Sequence, residues 1–494
     1  MRDARAELSP DQFREIGHEL VDRIAEFLAS LPDRPVAPDA TPRSIRDRLN
    51  ADDPLPTTGD DPAAIVREAS ELLFDNSTFN GHPRFFGYIT SSASPIGALA
   101  DLLAASVNPN CGAWGLSPIA TEIERQSVRW IAELIGYSPD CGGILVSGGN
   151  MANMVCLIAA IRAQAGWDVR ARGVSERRLA IYASSEVHTW LQKAVDICGL
   201  GVDSARSIPV DRTLAMDVNA LRRQVAADQA AGWQPAVVIG TAGSVSTGAI
   251  DPLPELASLC TEESMWFHVD GAYGAPAAVL DDAPPALRAI ASADSVAVDP
   301  HKWLYAPIEA GCALVKHPES LRSAFSFHPP YYQFDGPADD PPTNFYEWGP
   351  QNSRGFRALK VWSTMRQVGR DGYVRMIRDD IALAQEIHRL ADAHPELEAF
   401  THDLSIATFR YVPAGSGGDE DYLNQLNTAV LARLQQEGRV YLSNAVLGTR
   451  FVLRACIVNF RTSQADVEAL IDASVTAGRA VHAASTRQPA SLHV

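Results

Sequence analysis

Apolar residues recur at helical spacing from the start of the chain. Phe13, Ile16, Leu20, Ile24 and Leu28 predict an amphipathic helix over about Ser9–Leu31. Ser9-Pro10 opens it, a capping hydroxyl followed by a proline whose missing N–H costs nothing there. Residues 32–61 are rich in Pro and Asp and read as mostly loop. Helical spacing returns over Ala63–Phe74, Ala93–Ala105 and Thr121–Leu134. From residue 143 the pattern changes. Short apolar runs, Ile144–Val146, Leu179–Ala183, Ala236–Gly240, Met265–Val269, Ser295–Val298 and Cys312–Val315, alternate with helix-length segments. Those segments are Asn150–Ala165, Glu186–Cys198, Val218–Ala230 and Leu253–Glu262. Strands apolar on both faces, alternating with helices, predict a mostly parallel sheet covered on both sides. Ligands of such sheets sit at the carboxyl ends of the strands.

His317–Trp348 is a long Pro-rich connection, of the kind that is either functional or disordered in a compact enzyme. Helices follow over Arg354–Val368 and Asp371–Ala391. Beyond them, strands Ser405–Tyr411 and Phe451–Ile457 and helices Tyr422–Gln436 and Ser463–Ala477 suggest a small α+β domain. The expected class is α/β, divided into an N-terminal helical segment (1–90), a large domain (91–370) and a small C-terminal domain (371–494).

Composition narrows the functional classes. The 494 residues are 46% apolar and 21% charged, ordinary for a globular protein with a large core. A net charge of −18 argues against nucleic acid or an anionic membrane surface as partner, since both need a basic face. The seven cysteines are odd in number and form no C-x-x-C pair. They read as reduced thiols of a cytoplasmic protein, with no zinc site. The N-terminus has no apolar signal core, and no apolar run is long enough to span a bilayer.

The candidate chemistry lies at the predicted strand ends. Ser295–Val298 stops at Asp299-Pro300, and His301-Lys302-Trp303 follows. A lysine beside a buried strand and an aromatic ring is placed for desolvation, which frees its amine as a nucleophile. Met265–Val269 leads into Asp270, then Gly271 and Ala272; Asp270 and Lys302 are 32 residues apart, room for a strand, a crossover and a strand. Ser147-Gly148-Gly149-Asn150 joins a strand to a helix and has the composition of a phosphate cradle. Phosphate, carboxylate and lysine are the three anchors of pyridoxal 5'-phosphate (PLP): the lysine bonds its aldehyde carbon and the carboxylate keeps its ring nitrogen protonated.

The ordered set SGGNMAN, SSEVH, GTAGSVSTGAIDP, HVDGAYG and VDPHKW resembles the group II PLP-dependent amino-acid decarboxylases, which include aromatic-L-amino-acid, glutamate and histidine decarboxylases. The resemblance runs from about the first helix to past residue 460 and implies the PLP-dependent transferase-like fold type I. It also implies a homodimer with shared active sites, acting on an amino acid as small-molecule substrate. By resemblance Lys302 carries the cofactor, Asp270 pairs with its ring nitrogen, Ala272 contacts the ring and His188 stacks on it. Gly149 and Asn150 hold the phosphate, and Asn352 and Ser353 reach the phosphate of the partner subunit. Thr241 either bonds the cofactor's 3-oxygen side or caps its strand. Asp299 stands where some relatives have a phosphate-contacting Asn, and a carboxylate there would repel phosphate.

Tyr331 matches a mobile-loop tyrosine that protonates Cα after carbon dioxide leaves, with Tyr332 beside it. Tyr88, Ile89 and Trp114 are expected around the substrate, and Arg354 near its carboxylate. The leading expectation is decarboxylation of an aromatic L-amino acid to its amine. Ile89 and Gly112 stand where aromatic relatives tend to have Phe, and HPRFF and GTAGSVSTGAIDP resemble the glutamate branch equally. An acidic-amino-acid decarboxylase is therefore one alternative and an aromatic aldehyde synthase another; a PLP-binding scaffold without activity is the non-enzymatic one.

Overall fold

A computed structural model describes residues 6–174, 176–329, 337, 339, 341–415 and 418–486. Tyr331 and Tyr332 lie outside the described residues. Seven strands form the large sheet: β1 (Gly142–Val146), β2 (Leu179–Ser184), β3 (Ala205–Ile208), β4 (Gln234–Thr241), β5 (Trp266–Asp270), β6 (Ser295–Val298) and β7 (Gly311–Val315). Their order is β1-β7-β6-β5-β4-β2-β3. Only β7 runs against the others, pairing antiparallel with both β1 and β6. Every residue of β1, β2, β5, β6 and β7 is buried, which is why these strands read as unbroken apolar runs. The edge strand β3, with sequence ARSI, is half exposed and carried no such signal.

The second sheet is antiparallel, in the order β10-β11-β9-β8: β8 (Leu397–Asp403), β9 (Ile406–Tyr411), β10 (Ser443–Leu447) and β11 (Arg450–Cys456). The helices Glu420–Glu437 and Gln464–Thr486 pack with it. β8 and β10 sit at its edges with mixed polar faces and were not expected. One helix, Ala358–Ala393, replaces the two predicted there, and the predicted break survives as non-helical backbone at Gly369, where φ is +66°. Residues 32–61 hold an exposed helix, Pro42–Leu49, capped by Thr41.

The N-terminal helix spans Pro10–Ser30, and the Ser9 hydroxyl accepts from the Gln12 N–H at 3.2 Å as its sequence implied. Beyond it, residues 82–91 cross between the two sheets. The Phe86 N–H donates to Tyr441 O at 2.8 Å, and the Cys456 N–H donates to Phe86 O at 3.0 Å. This crossing carries Ile89 to the mouth of the large sheet.

One predicted role fails at this level. Arg354 is not free to meet a substrate. Its side chain is wholly buried and paired with the equally buried Glu124. It donates to Glu124 Oε2 and Cys111 O at 3.1 Å each and to Leu145 O at 2.6 Å, and it lies over the Phe345 ring. Glu124 in turn accepts from the Leu145 N–H at 2.9 Å. The pair ties β1 to the helix Pro118–Leu134, so its charge serves the scaffold.

Candidate active site

The carboxyl ends of β1, β2, β4, β5 and β6 meet around one cavity of about 440 Å³. Each strand delivers its residues through a short turn. After β6, the Lys302 N–H donates to Asp299 O at 2.9 Å, and this turn places Lys302 Nζ 3.0 Å from Asp299 Oδ2. Trp303 anchors the turn from below: it is fully buried, stacks on Tyr273 and donates its indole N–H to Asp380 at 2.8 Å. The aromatic residue beside the lysine is thus core, and it fixes the backbone that presents the amine.

Asp270 ends β5 and is almost fully buried. Its Oδ1 accepts from the Ala272 N–H at 3.2 Å and its Oδ2 from the Trp190 indole N–H at 2.7 Å. His188, in the turn after β2, has its Nδ1 accept from the Trp190 N–H at 3.2 Å. Burial holds the His188 pKa below the usual histidine value, and Lys302 adds to the effect against the pull of Asp270. Behind Asp270, the fully buried His268 bridges Ser295 Oγ at 2.8 Å and Asn153 Oδ1 at 2.7 Å.

The residues present fit PLP. Gly148 has φ +126°, a conformation closed to other residues, and a Cβ at Gly149 would lie 2.5 Å from Asp299 Oδ2. The helix Gly149–Gln164 begins there with no side-chain cap, so its first amides are open to an anion. Asp299 Oδ1 is buried without a hydrogen-bond partner among the described residues. A lysine, a carboxylate and open helix amides around one cavity form the donor set that an aldehyde-bearing pyridinium phosphate requires.

Of the residues singled out in the sequence, Lys302, Asp270, Ala272, His188, Gly149, Asn150, Thr241 and Ile89 all line this cavity. Tyr88 and Trp114 do not. Tyr88 is exposed, with φ +52° and its ring near Tyr441; the Trp114 indole N–H donates to Glu122 at 3.0 Å. Asn352 and Ser353 are exposed, and the Asn352 carbonyl sits where a Cβ at Gly112 would be.

Trp190, Asn153, Val245 and Tyr273 also line the cavity and were not singled out. Trp190, two residues past His188, opens the helix Trp190–Ile197 and gave no signal of its own. Arg454 was missed as well. It is buried, donates to Ser443 Oγ at 2.9 Å and Tyr88 O at 3.3 Å, and keeps Nε and Nη2 without partners among the described residues. Its place inside a strand gave it no motif.

Among the described residues, no helix is long and apolar enough to cross a membrane, and no cluster of three acidic, His or Cys side chains is arranged to hold a metal.

A family model, the pyridoxal-dependent decarboxylase conserved domain, matches residues 42–412. An aromatic-L-amino-acid decarboxylase of Bacillus atrophaeus is 31% identical over 458 residues, 92% of this chain and 93% of that protein. A phenylacetaldehyde synthase of a Rosa hybrid cultivar is 28% identical over 467 residues, 91% of this chain and 90% of that one. The crystal structure of Oryza sativa TDC with PLP and tryptamine superposes with a TM-score of 0.88 at 26% identity, covering 96% of this chain and 99% of that one.

Proposed function

The chain belongs to the pyridoxal-dependent decarboxylase family and is a PLP-dependent amino-acid decarboxylase; from that premise we propose that it converts an aromatic L-amino acid to its arylalkylamine in the cavity around Lys302. The cavity wall carries the substrate reading. Ile89, Val245, Ala272 and Tyr273 offer an apolar surface, and among the described residues the lining holds no arginine for a side-chain carboxylate. A flat apolar side chain is accommodated there at lower desolvation cost than an acidic one.

When bound, PLP supplies the electron sink for the pair left on Cα as carbon dioxide departs. The chain's own groups then have distinct tasks. Lys302 would hold the cofactor through its amine. Asp270 would pair with the ring nitrogen, and His188 would face the ring. Gly149 and Asn150 take the phosphate at the helix start. Thr241 serves the 3-oxygen side, and Tyr331 delivers a proton to Cα. Arg454, buried beside Tyr88 with two donors unpaired among the described residues, is the guanidinium we assign to the substrate's α-carboxylate.

We also place the reaction in a homodimer of cytoplasmic location, with the division into 1–90, 91–370 and 371–494. The helix Pro10–Ser30 buries no residue in this chain, and Leu99, Leu102, Leu103 and Val107 leave an exposed apolar face on the helix Pro95–Val107. A second copy covering that face would bring the exposed Asn352 and Ser353 towards its cofactor. Tyr88 and Trp114 keep their substrate role only from such an assembly.

The test is a product screen. PLP-loaded protein is incubated with each standard amino acid, 3,4-dihydroxyphenylalanine and 5-hydroxytryptophan, and products are identified by mass. An arylalkylamine is expected. An amine from glutamate or aspartate would move the chain to the acidic branch. Aldehyde with ammonia would make it an aldehyde synthase, the second reading, which the likeness to the rose enzyme favours.

A further inference from the structure

The two side chains expected to face the cofactor ring from different strands, His188 and Asp270, share one neighbour. Trp190 donates its backbone N–H to His188 Nδ1 at 3.2 Å and its indole N–H to Asp270 Oδ2 at 2.7 Å. Trp190 is 2% exposed and Asp270 7%. The indole is itself held: its ring meets the His268 ring edge-on at 6.0 Å, and His268 is pinned by Ser295 and Asn153. We propose that Trp190 is a positioning residue that locks the ring-stacking histidine and the nitrogen-pairing carboxylate into one unit.

The chemistry of each contact gives the clamp its effect. An imidazole nitrogen that accepts a backbone N–H carries no proton, so the His188 proton sits on Nε2 and the ring is neutral. A neutral imidazole adds no charge beside a cationic ring. At Asp270, the indole occupies Oδ2 and the Ala272 N–H one acceptor site of Oδ1. A carboxylate oxygen has two such sites, so Asp270 retains capacity for a ring N–H. A donor on Oδ2 also fixes the plane of the carboxylate and so the direction of its remaining acceptor sites. Trp190 acts through its two neighbours.

This inference rests on the PLP reading, and the test separates the two. Trp190→Phe keeps an aromatic ring and removes the indole donor. Trp190→His restores a ring N–H the same number of bonds from Cβ while discarding the benzo ring. Each variant is purified without cofactor, its melting recorded, and PLP titrated in by visible absorbance from pH 6 to 9. Trp190→Phe is expected to bind PLP at least about tenfold more weakly, the lower end for losing a hydrogen bond to a charged group, and to shift the pH midpoint of the visible band. Trp190→His is expected to keep the wild-type midpoint.

If Trp190 merely fills space, the His variant, which loses more volume, would bind PLP worse than the Phe variant and neither midpoint would move. That result overturns the clamp. Wild-type protein labelled with 15N-tryptophan gives a readout independent of variant folding. One indole N–H signal is expected to shift on PLP addition, and an indole set indifferent to PLP contradicts the proposal. Wild type that shows no visible band with PLP would instead sink the cofactor reading itself.

Discussion

Replacing Glu124 by Gln separates a scaffold role for Arg354 from a substrate role. In the folded chain both side chains are wholly buried, and Glu124 serves Arg354 and the Leu145 N–H together. Removing the negative charge strands a guanidinium in the interior with two carbonyl acceptors, Cys111 O and Leu145 O, and the Phe345 ring. Breaking one side of a buried pair costs about 3–5 kcal/mol. Gln keeps one acceptor oxygen, so the lower end is expected. Unfolding entropy near about 2.1 cal/mol/K per residue, over 494 residues, amounts to about 1 kcal/mol/K. The melting midpoint of cofactor-free protein should then drop by about 3 °C if the chain melts as one unit.

Glu124→Leu combined with Arg354→Leu should lose less than the two single changes together, because no lone charge remains buried. The assay is differential scanning calorimetry without cofactor, with KM measured on the loaded enzyme. A midpoint unchanged in Glu124→Gln, with KM raised several-fold, would refute the scaffold role and return Arg354 to the substrate.

Other expected outcomes follow from the same geometry. Lys302→Ala should lack the visible band that PLP gains on bonding the lysine amine, and persistence of that band would remove Lys302 from its role. Gly149→Ala, whose Cβ would meet Asp299 Oδ2 at 2.5 Å, should bind PLP at least about fivefold more weakly, given about 1–3 kcal/mol for overpacking. Titration by absorbance reads this, and unchanged affinity would place the phosphate elsewhere. His268 is held well below the usual histidine pKa, chiefly by burial. The unfolded chain therefore takes up a proton as pH falls below about 6.5 while the folded chain does not, and stability is lost in that direction. His268→Gln should lack this loss, so the midpoint of wild type should fall relative to that of the variant between pH 6.5 and 5. Parallel curves would contradict a neutral buried His268.

The catalytic half of the molecule was legible because its strands are buried on both faces and end in residues unsuited to packing. Asp270, Lys302 and Gly149 each follow within a few residues of a buried apolar run. The edge strands β3, β8 and β10 escaped because they mix polar and apolar positions without a clear period, unlike the buried edge strand β1. Arg354 misled because a guanidinium near a site reads the same in sequence whether it faces a ligand or an internal carboxylate. Only the fold shows Glu124, 230 residues earlier, closing on it. Trp190 was silent for the opposite reason: a tryptophan at a helix start suggests core, and its donor matters only once β5 lies beside it.

Peptide mapping after borohydride reduction of PLP-treated protein tests the central claim most directly. The chain has four lysines, Lys193, Lys302, Lys316 and Lys360, so the site of a reduced pyridoxyl group is decisive. A single pyridoxyl group on Lys302 is the predicted result. A group on one of the other three, or none on Lys302, would contradict the placement of the cofactor at the carboxyl ends of β1, β2, β4, β5 and β6.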